Sequence, residues 1–208
     1  MNNKQTLVFT LFATVFTLST FYEPYAFSWL VKILPMLVLL AFSINHIKTV
    51  SDKLFVTGLI FSTVGDFILD YDGANWFIFG LGSFLIAHVF YLFSLKPLEI
   101  KRVPIAISYL IYGIAMFVVI GSSLGKLFIP VLIYMSVLLV MGIFTLMSKK
   151  SNQWLIVGGI SFIISDSLLG INKFYTDVPL SHILIMVTYY FAQFSLVKGI
   201  FYNRKIST

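Results

Sequence analysis

Eight long apolar runs fill almost the whole of the 208-residue sequence. Short groups of charged or turn-forming residues separate them, for example at Glu23-Pro24 and at Lys96-Pro97. Each run approaches the roughly 20 residues that an α-helix needs to cross about 30 Å of hydrocarbon. The pattern therefore predicts eight membrane-spanning helices, at residues 6–21, 27–46, 54–70, 75–95, 103–120, 127–147, 153–171 and 180–201.

The amino-acid composition supports a membrane protein and excludes a soluble domain and a disordered chain. Hydrophobic residues make up 59% of the chain and charged residues only 11%, with a mean hydropathy of +0.98. Soluble domains carry about 25% charged residues, and disordered chains are still more polar. We therefore expect an all-α polytopic membrane helical bundle, forming a single domain over residues 1–208. The first apolar run resembles a signal peptide but lacks a small-x-small cleavage site before Glu23, so we expect an uncleaved first span.

The basic residues indicate how the helices cross the membrane. If the N-terminus lies inside, ten lysine and arginine residues fall in inside segments and two in outside segments. The inside set is Lys4, Lys48, Lys53, Lys96, Lys101, Arg102, Lys149, Lys150, Arg204 and Lys205; the outside set is Lys126 and Lys173. This asymmetry follows the positive-inside rule and predicts that both termini are cytoplasmic, with the bacterial inner membrane as the expected location. The net charge of +6 is scattered between apolar runs, which argues against nucleic-acid binding.

Two aspartates lie in the interior of predicted spans, Asp66 in the third and Asp166 in the seventh. Residues 55–70 and 155–170 align without gaps at an offset of 100, with four identities that include both aspartates. Such an offset would suit a parallel four-plus-four repeat. An ionised side chain in hydrocarbon costs about 2.5–3.5 kcal/mol on insertion scales, so intramembrane carboxylates face the protein interior or a cavity. We expect both to lie about twelve residues from the cytoplasmic end of their helices, at one depth.

Small residues accompany each aspartate: Gly58, Ser62 and Gly65 in the third span, and Gly158, Ser161 and Ser165 in the seventh. They would let the two helices approach closely and bring the carboxylates together. Two adjacent carboxylates in a low dielectric cannot both ionise cheaply, so one would retain a proton beside a charged partner. That arrangement serves acid catalysis and proton-coupled transport equally well. The alternative is a pair of buried structural acids.

Other intramembrane polar side chains are candidates for substrate binding. Lys32 could extend to the interface, pair with the aspartates or bind a lipid phosphate. His88 lies one helical turn from Tyr91 and is either a core histidine or part of a polar cavity wall. The remaining candidates are Tyr134, Ser165, Asn172, Tyr189 and Gln193.

Metal and cofactor sites have little support in the sequence. The three histidines fall in different helices without paired spacing, and the chain has no cysteine. The segment from Asp70 to Asn75 has calcium-loop spacing but no acid at the twelfth position, so we interpret it as an acidic turn. We expect no metal and no organic cofactor.

Taken together, these motifs resemble the YhhN-like lysoplasmalogenase family of multi-span membrane enzymes. The resemblance rests on Gly-Asp-x-x-Leu at Gly65, Ala-His-x-x-Tyr at Ala87 and Ser165-Asp166, with further matches at Lys32, Asn172 and Gln193. These stretches extend from the second to the eighth span. One departure is that Ile33 follows Lys32, where family members often have proline; here proline comes at Pro35.

The resemblance implies hydrolysis of the vinyl ether of 1-alkenyl lysophospholipids to a fatty aldehyde and a glycerophospho-base. Our hypothesis for this chemistry is that Asp66 and Asp166 are the proton donor and the stabilising negative charge, without an assignment of which is the acid. His88, Tyr91 and Gln193 would orient water or the glycerol end, and Lys32 would meet the phosphate. Membrane lipids and the lysophospholipid are the expected partners, with no obligatory protein partner. Two alternatives stay open: a proton-coupled small-molecule or lipid transporter using the same aspartate pair, and a lipid-binding scaffold without catalysis.

Overall fold

The computed structural model describes residues 1–99 and 103–202. Lys101, Arg102, Arg204 and Lys205 of the charge count lie outside the described residues. Within those residues the chain forms eight α-helices. They are α1 (Asn3–Ser19), α2 (Ser28–Ile44), α3 (Val50–Asp72), α4 (Phe77–Ser94), α5 (Val103–Gly121), α6 (Phe128–Met147), α7 (Gln153–Phe174) and α8 (Ser181–Ile200).

These helices confirm the predicted fold class of a polytopic membrane bundle. Seven of them are long and apolar enough to cross a membrane. The eighth, α2, has 17 residues, which is the lower limit for a transmembrane helix. The first predicted span is longer than expected, because α1 begins at Asn3 and a 3-10 turn extends it to Tyr22. The shortest of the eight predicted spans is therefore α2, and its crossing of the membrane stays a prediction. The orientation and the single domain over 1–208 stay predictions.

The helix α3 is longer at both ends than predicted, and this changes the site. It begins at Val50 because Thr49 and Asp52 form a reciprocal capping box that satisfies the first backbone N–H groups. It continues to Asp72. The interpretation of Asp70 as part of an acidic turn is therefore wrong: Asp70 is a helical residue, one turn beyond Asp66.

Contacts divide the chain into two compact units of four helices each. Of the described residues, the first unit comprises 1–94 and 200–202, and the second comprises 95–99 and 103–199. In the first unit α3 packs closely on α4. A Cβ on Gly58 would lie 2.7 Å from the Tyr91 ring, and one on Gly65 would lie 2.7 Å from the Phe84 ring. These two glycines allow α3 and α4 to approach closely.

In the second unit α7 packs against both α6 and α8. A Cβ on Gly158 would lie 3.0 Å from the backbone nitrogen of Leu196 in α8, and one on Gly159 would lie 2.5 Å from the Thr145 hydroxyl in α6. Ser161 Oγ donates a hydrogen bond to the Thr188 carbonyl of α8. The small residues of α3 and α7 thus pack each helix within its own unit, onto α4 and onto α8. An approach of α3 to α7 stays a prediction.

Candidate functional site

Asp66 is the middle one of three polar residues that lie one helical turn apart on the same face of α3. Ser62 precedes it by four residues and Asp70 follows it by four, so all three point to the same side of the helix. Its carboxyl group is enclosed, since the residue is only 3% exposed. Asp66 lies 16 residues from the start of α3 and Asp166 lies 13 from the start of α7. The expected common spacing of about twelve residues is therefore wrong, because α3 begins earlier than predicted.

The helix α4 supplies a buried polar wall next to this face. The Tyr91 hydroxyl lies 3.3 Å from Ser62 Oγ, within hydrogen-bonding distance. The Tyr91 ring stacks on Phe55 with ring centroids 4.9 Å apart. His88 is fully buried and meets Tyr91 edge to face at 6.3 Å. The predicted candidates Asp66, His88 and Tyr91 therefore belong to one unit, with Ser62 joining α3 to α4.

Lys32 is held inside the first unit by a residue that the sequence analysis missed. Its ammonium nitrogen lies 3.5 Å from Asp70 Oδ1, and Ser28 Oγ donates a 2.5 Å hydrogen bond to Asp70 Oδ2. The side chains of Lys32 and Asp70 are only 14% and 9% exposed. Of the predicted alternatives for Lys32, pairing with a carboxylate is the observed one, and the partner is Asp70. The four-residue spacing from Asp66 was the signal that could have identified Asp70.

Asp166 in the second unit has a different environment. The Tyr134 hydroxyl of α6 donates a short hydrogen bond to its Oδ2 atom. Tyr134 is buried, whereas Asp166 is half-buried. Two of the predicted site residues, Tyr134 and Asp166, are thus directly bonded to each other. A phenol can stabilise a carboxylate by donating a hydrogen bond, and it can donate to a protonated carboxyl as well.

Tyr189 and Gln193 form a second polar pair in this unit. Gln193 Nε2 donates to the Tyr189 hydroxyl at 3.3 Å, and both residues are buried on α8. The Tyr189 ring also meets Phe162 of α7 edge to face at 5.6 Å. Buried amide and phenol groups are costly to leave unbonded, and here each supplies a hydrogen-bond partner to the other.

Two of the predicted substrate-binding residues bond to backbone. Ser165 Oγ donates to the Ile185 carbonyl of α8 at 3.1 Å. Asn172 lies inside α7, and its Oδ1 atom accepts from the Val178 backbone N–H at 3.0 Å. Both bonds stabilise the local fold, Ser165 by joining α7 to α8 and Asn172 by closing the loop that follows α7.

Among residues 1–99 and 103–202, no group of three or more metal-ligating side chains is arranged to hold a metal ion. In the first unit the ionisable candidates are Asp66, the Lys32–Asp70 ion pair and the buried imidazole of His88. In the second unit the acidic candidate is Asp166. Carboxyl and phenol groups in apolar surroundings are suited to general acid–base chemistry. Lys32 and Asp70 add a polar, charged element at the end of α3.

Comparison with known proteins relates these residues to a family. The sequence profile of the YhhN family matches residues 27–200, which include every site residue described above. The chain belongs to the YhhN family. This confirms the resemblance found in the sequence motifs. No solved structure matches the chain significantly.

Several curated relatives of this YhhN family member carry the name lysoplasmalogenase. Human lysoplasmalogenase TMEM86A is 32% identical over 182 residues, covering 80% of this chain and 75% of the relative. Mouse lysoplasmalogenase TMEM86B is 30% identical over 191 residues, covering 89% and 80%. A lysoplasmalogenase of Mycobacterium tuberculosis is 31% identical over 160 residues, covering 73% of this chain but only 61% of the relative's length.

Proposed function

We propose that this protein hydrolyses the vinyl ether bond of lysoplasmalogens, releasing a fatty aldehyde and a glycerophospho-base. The names of the human, mouse and mycobacterial relatives support this substrate class. The observation that carries the proposal is Asp66, a carboxyl group only 3% exposed on an apolar helix. Intramembrane ionisable residues of this kind are expensive to bury and mark functional sites.

The proposed reaction begins with proton transfer to carbon. An acid donates a proton to the β-carbon of the vinyl ether, which forms a C–H bond, breaks the C=C π bond and leaves an oxocarbenium ion. Water adds to the cationic carbon and loses a proton to a base, giving a hemiacetal. The hemiacetal hydroxyl then loses its proton to a base as the aldehyde carbonyl forms, and the C–O bond to glycerol breaks as the glycerol oxygen takes up a proton from an acid. No redox cofactor enters this balance.

Asp66 and Asp166 are proposed as the acid and as the negative charge that stabilises the cation, without assigning which carboxyl does which. Glycosidases divide the same two tasks between paired carboxyl groups. His88, Tyr91 and Gln193 would orient the water or the glycerol end, and Lys32 would bind the phosphate. Further contacts to substrate are assigned to Tyr134, Ser165, Asn172 and Tyr189.

The arrangement of the first unit agrees with the dimensions of a lysophospholipid. Lys32 and Asp70 lie one turn of α3, about 6 Å, from the level of Asp66. In the substrate the glycerol backbone separates the phosphate from the vinyl ether by a few bonds. A phosphate at Lys32 would therefore place the vinyl ether near Asp66.

Aldehyde release by the purified protein in detergent tests the function directly. The substrate is a 1-alkenyl lysophospholipid, offered with ethanolamine and with choline headgroups, and the variants are Asp66→Asn and Asp166→Asn. We expect aldehyde from the wild type and none from either variant. The transporter alternative rests on the same buried carboxylates: it predicts proton-dependent movement of intact lipid across liposomes without aldehyde. That result would replace the hydrolase proposal.

We also propose a bacterial inner-membrane location with both termini cytoplasmic. The native chain has no cysteine, so single cysteines report topology cleanly. An impermeant maleimide should label Ser123→Cys, in the α5–α6 loop, in spheroplasts. It should label Lys96→Cys, in the α4–α5 loop, only after lysis. The reverse pattern would invert the proposed orientation.

A further inference from the structure

Asp70 lies beside the proposed catalytic residues but has no role in the reaction as written. Its two carboxylate oxygens have different partners: Ser28 Oγ at 2.5 Å on Oδ2 and the Lys32 ammonium at 3.5 Å on Oδ1. Ser28 and Lys32 lie one turn apart at the start of α2, and Asp70 lies near the end of α3. The two antiparallel helix ends therefore meet through three polar side chains at one end of the unit.

The burial of the Lys32 side chain requires a compensating interaction. It lies one turn into α2, and a lysine so close to a helix end ordinarily extends its flexible stem towards water. Here the side chain is only 14% exposed, and its ammonium also lies 5.7 Å from the Phe16 ring, within cation–π range. Asp70 supplies the opposite charge without which the buried ammonium would be strongly disfavoured.

We propose that Asp70 is a positioning residue that holds the Lys32 ammonium where the phosphate of a lysophospholipid binds. This inference rests on the proposed function, because it assigns the phosphate to the same substrate. In this arrangement Ser28 fixes the Asp70 carboxylate, Asp70 fixes the ammonium, and the ammonium binds the phosphate one helical turn from Asp66.

The geometry of the ion pair allows the Lys32 ammonium to contact Asp70 and a phosphate at the same time. Charge-assisted N–H···O bonds are typically about 2.7–2.9 Å long, whereas the Lys32–Asp70 distance is 3.5 Å. The pair is thus close enough to orient the lysine but is not at its shortest contact. An ammonium carries three N–H donors, so a carboxylate and a phosphate oxygen can share it.

Steady-state kinetics with two substrates provides the test. One substrate is a 1-alkenyl lysophospholipid and the other is the matching 1-alkenylglycerol, which has no phosphate. In Asp70→Asn we expect KM for the lysophospholipid to rise about tenfold, as for the loss of one charge-assisted hydrogen bond, with kcat near the wild-type value. Kinetics on the phosphate-free substrate should not change. An equal loss on both substrates would overturn the proposal.

Two further variants separate positioning from general damage to the fold. Asp70→Glu retains the counter-charge and should restore a low KM for the lysophospholipid. Asp72→Asn is the matched control, since this helical carboxylate lies two residues further along α3 and bonds the exposed Asn75 instead. It should behave as the wild type on both substrates.

A double-mutant cycle tests whether Asp70 acts through Lys32. Lys32→Met should raise KM for the lysophospholipid about as much as Asp70→Asn does. If Asp70 acts only by positioning Lys32, the double variant Lys32→Met/Asp70→Asn should lose no more than Lys32→Met alone. A multiplied loss in the double variant would show that Asp70 acts independently and would contradict the proposal.

Binding without turnover distinguishes this inference from the proposed function. A 1-alkyl lysophospholipid has the phosphate but no vinyl ether, and native mass spectrometry of the detergent-solubilised protein can measure its Kd against that of 1-alkylglycerol. We expect Asp70→Asn to weaken only the phosphate-bearing ligand. If the wild type released no aldehyde but this selective loss remained, the hydrolase would be rejected and the phosphate site retained. Equal binding by wild type and variant would reject the phosphate site.

Discussion

In α3 the side chain of Asp66 is almost completely enclosed, whereas in α7 that of Asp166 is half-buried and accepts a hydrogen bond from Tyr134. The packing around the two helices is more similar. Gly58 lets α3 approach the last helix of its unit, and Gly158, one hundred residues later, does the same for α7. The two regions thus have similar packing between helices but different side chains around the aspartate.

This difference indicates what each region contributes to the proposed reaction. The first unit places a lysine–aspartate pair one turn from its carboxyl group, which suits the charged end of a lipid. The second unit offers its carboxyl group a neutral phenol, which can donate a hydrogen bond whether that carboxyl is charged or protonated. A shared packing pattern with unlike surroundings is what a parallel repeat would leave after its two sites had specialised, and the repeat stays a prediction.

The largest expected effect comes from removing either carboxyl group. Asp66→Asn and Asp166→Asn should each lower kcat for aldehyde release by roughly 10²–10⁴-fold, the range for loss of a general acid or base. Asp72→Asn serves as the control on the same helix. Near-normal turnover in one of the two variants would show that this aspartate is not needed for catalysis, and only the other unit would then contribute a catalytic carboxyl group.

Lengthening the two side chains should separate the enclosed site from the more open one. Asp66→Glu inserts a methylene where the residue is 3% exposed, and overpacking of this kind costs about 1–3 kcal/mol. Asp166→Glu inserts it at a half-buried residue, where we expect a smaller cost of overpacking. We expect kcat to fall more in Asp66→Glu, as measured by aldehyde release. A greater loss in Asp166→Glu would contradict the difference in enclosure.

Removing the phenol tests whether the Tyr134 bond matters to the second site alone. Tyr134→Phe deletes the hydroxyl that donates to Asp166 and leaves the ring. We expect kcat to fall about tenfold, the scale of one hydrogen bond to a charged group. An effect on KM alone would limit Tyr134 to its proposed contact with substrate and would show that it does not act through Asp166.

Glycine substitutions test the packing that the two regions share. Gly58→Ala would place a methyl group 2.7 Å from the Tyr91 ring and 2.9 Å from the Ala87 carbonyl oxygen, and Gly158→Ala would place one 3.0 Å from the Leu196 backbone nitrogen. Each should lower the free energy of unfolding by about 1–3 kcal/mol, seen as a lower Tm in detergent. In Gly82→Ala on α4 the added Cβ would have no neighbouring atom within 4 Å, so this variant should not be destabilised. A Tm of Gly58→Ala equal to that of Gly82→Ala would show that the close approach is not required.

The smallest effect is expected at Asn172. Its side chain accepts the Val178 backbone N–H after α7, so Asn172→Ala should cost about 1 kcal/mol of stability through the unsatisfied backbone group. Its proposed contact to substrate should in addition raise KM, with kcat near the wild-type value. A lower Tm with unchanged KM would limit Asn172 to closing the loop after α7.

The sequence predicted the positions of the helices to within a few residues, because hydrocarbon thickness requires long apolar runs whatever their contacts. It failed at the end of α3, where Asp70 and Asp72 resemble a turn. Ser28 and Lys32 contact the Asp70 carboxylate and compensate for its burial in the helix. Both lie about forty residues away in the chain. The partners of Gly58 and Gly158 were missed for the same reason. Local patterns identify small or charged residues but not which helix meets them.

The central claim is that an acid of this protein protonates carbon in a vinyl ether. Its most direct test is to run the reaction on a 1-alkenyl lysophospholipid in D₂O. The aldehyde is trapped as it forms and is then analysed by mass spectrometry. Exchangeable acids such as Asp66 and Asp166 would carry deuterium, so the account predicts one deuterium at carbon 2 of the aldehyde from the wild type and no aldehyde from Asp66→Asn or Asp166→Asn. Unlabelled aldehyde, or equal release by the variants, would contradict it.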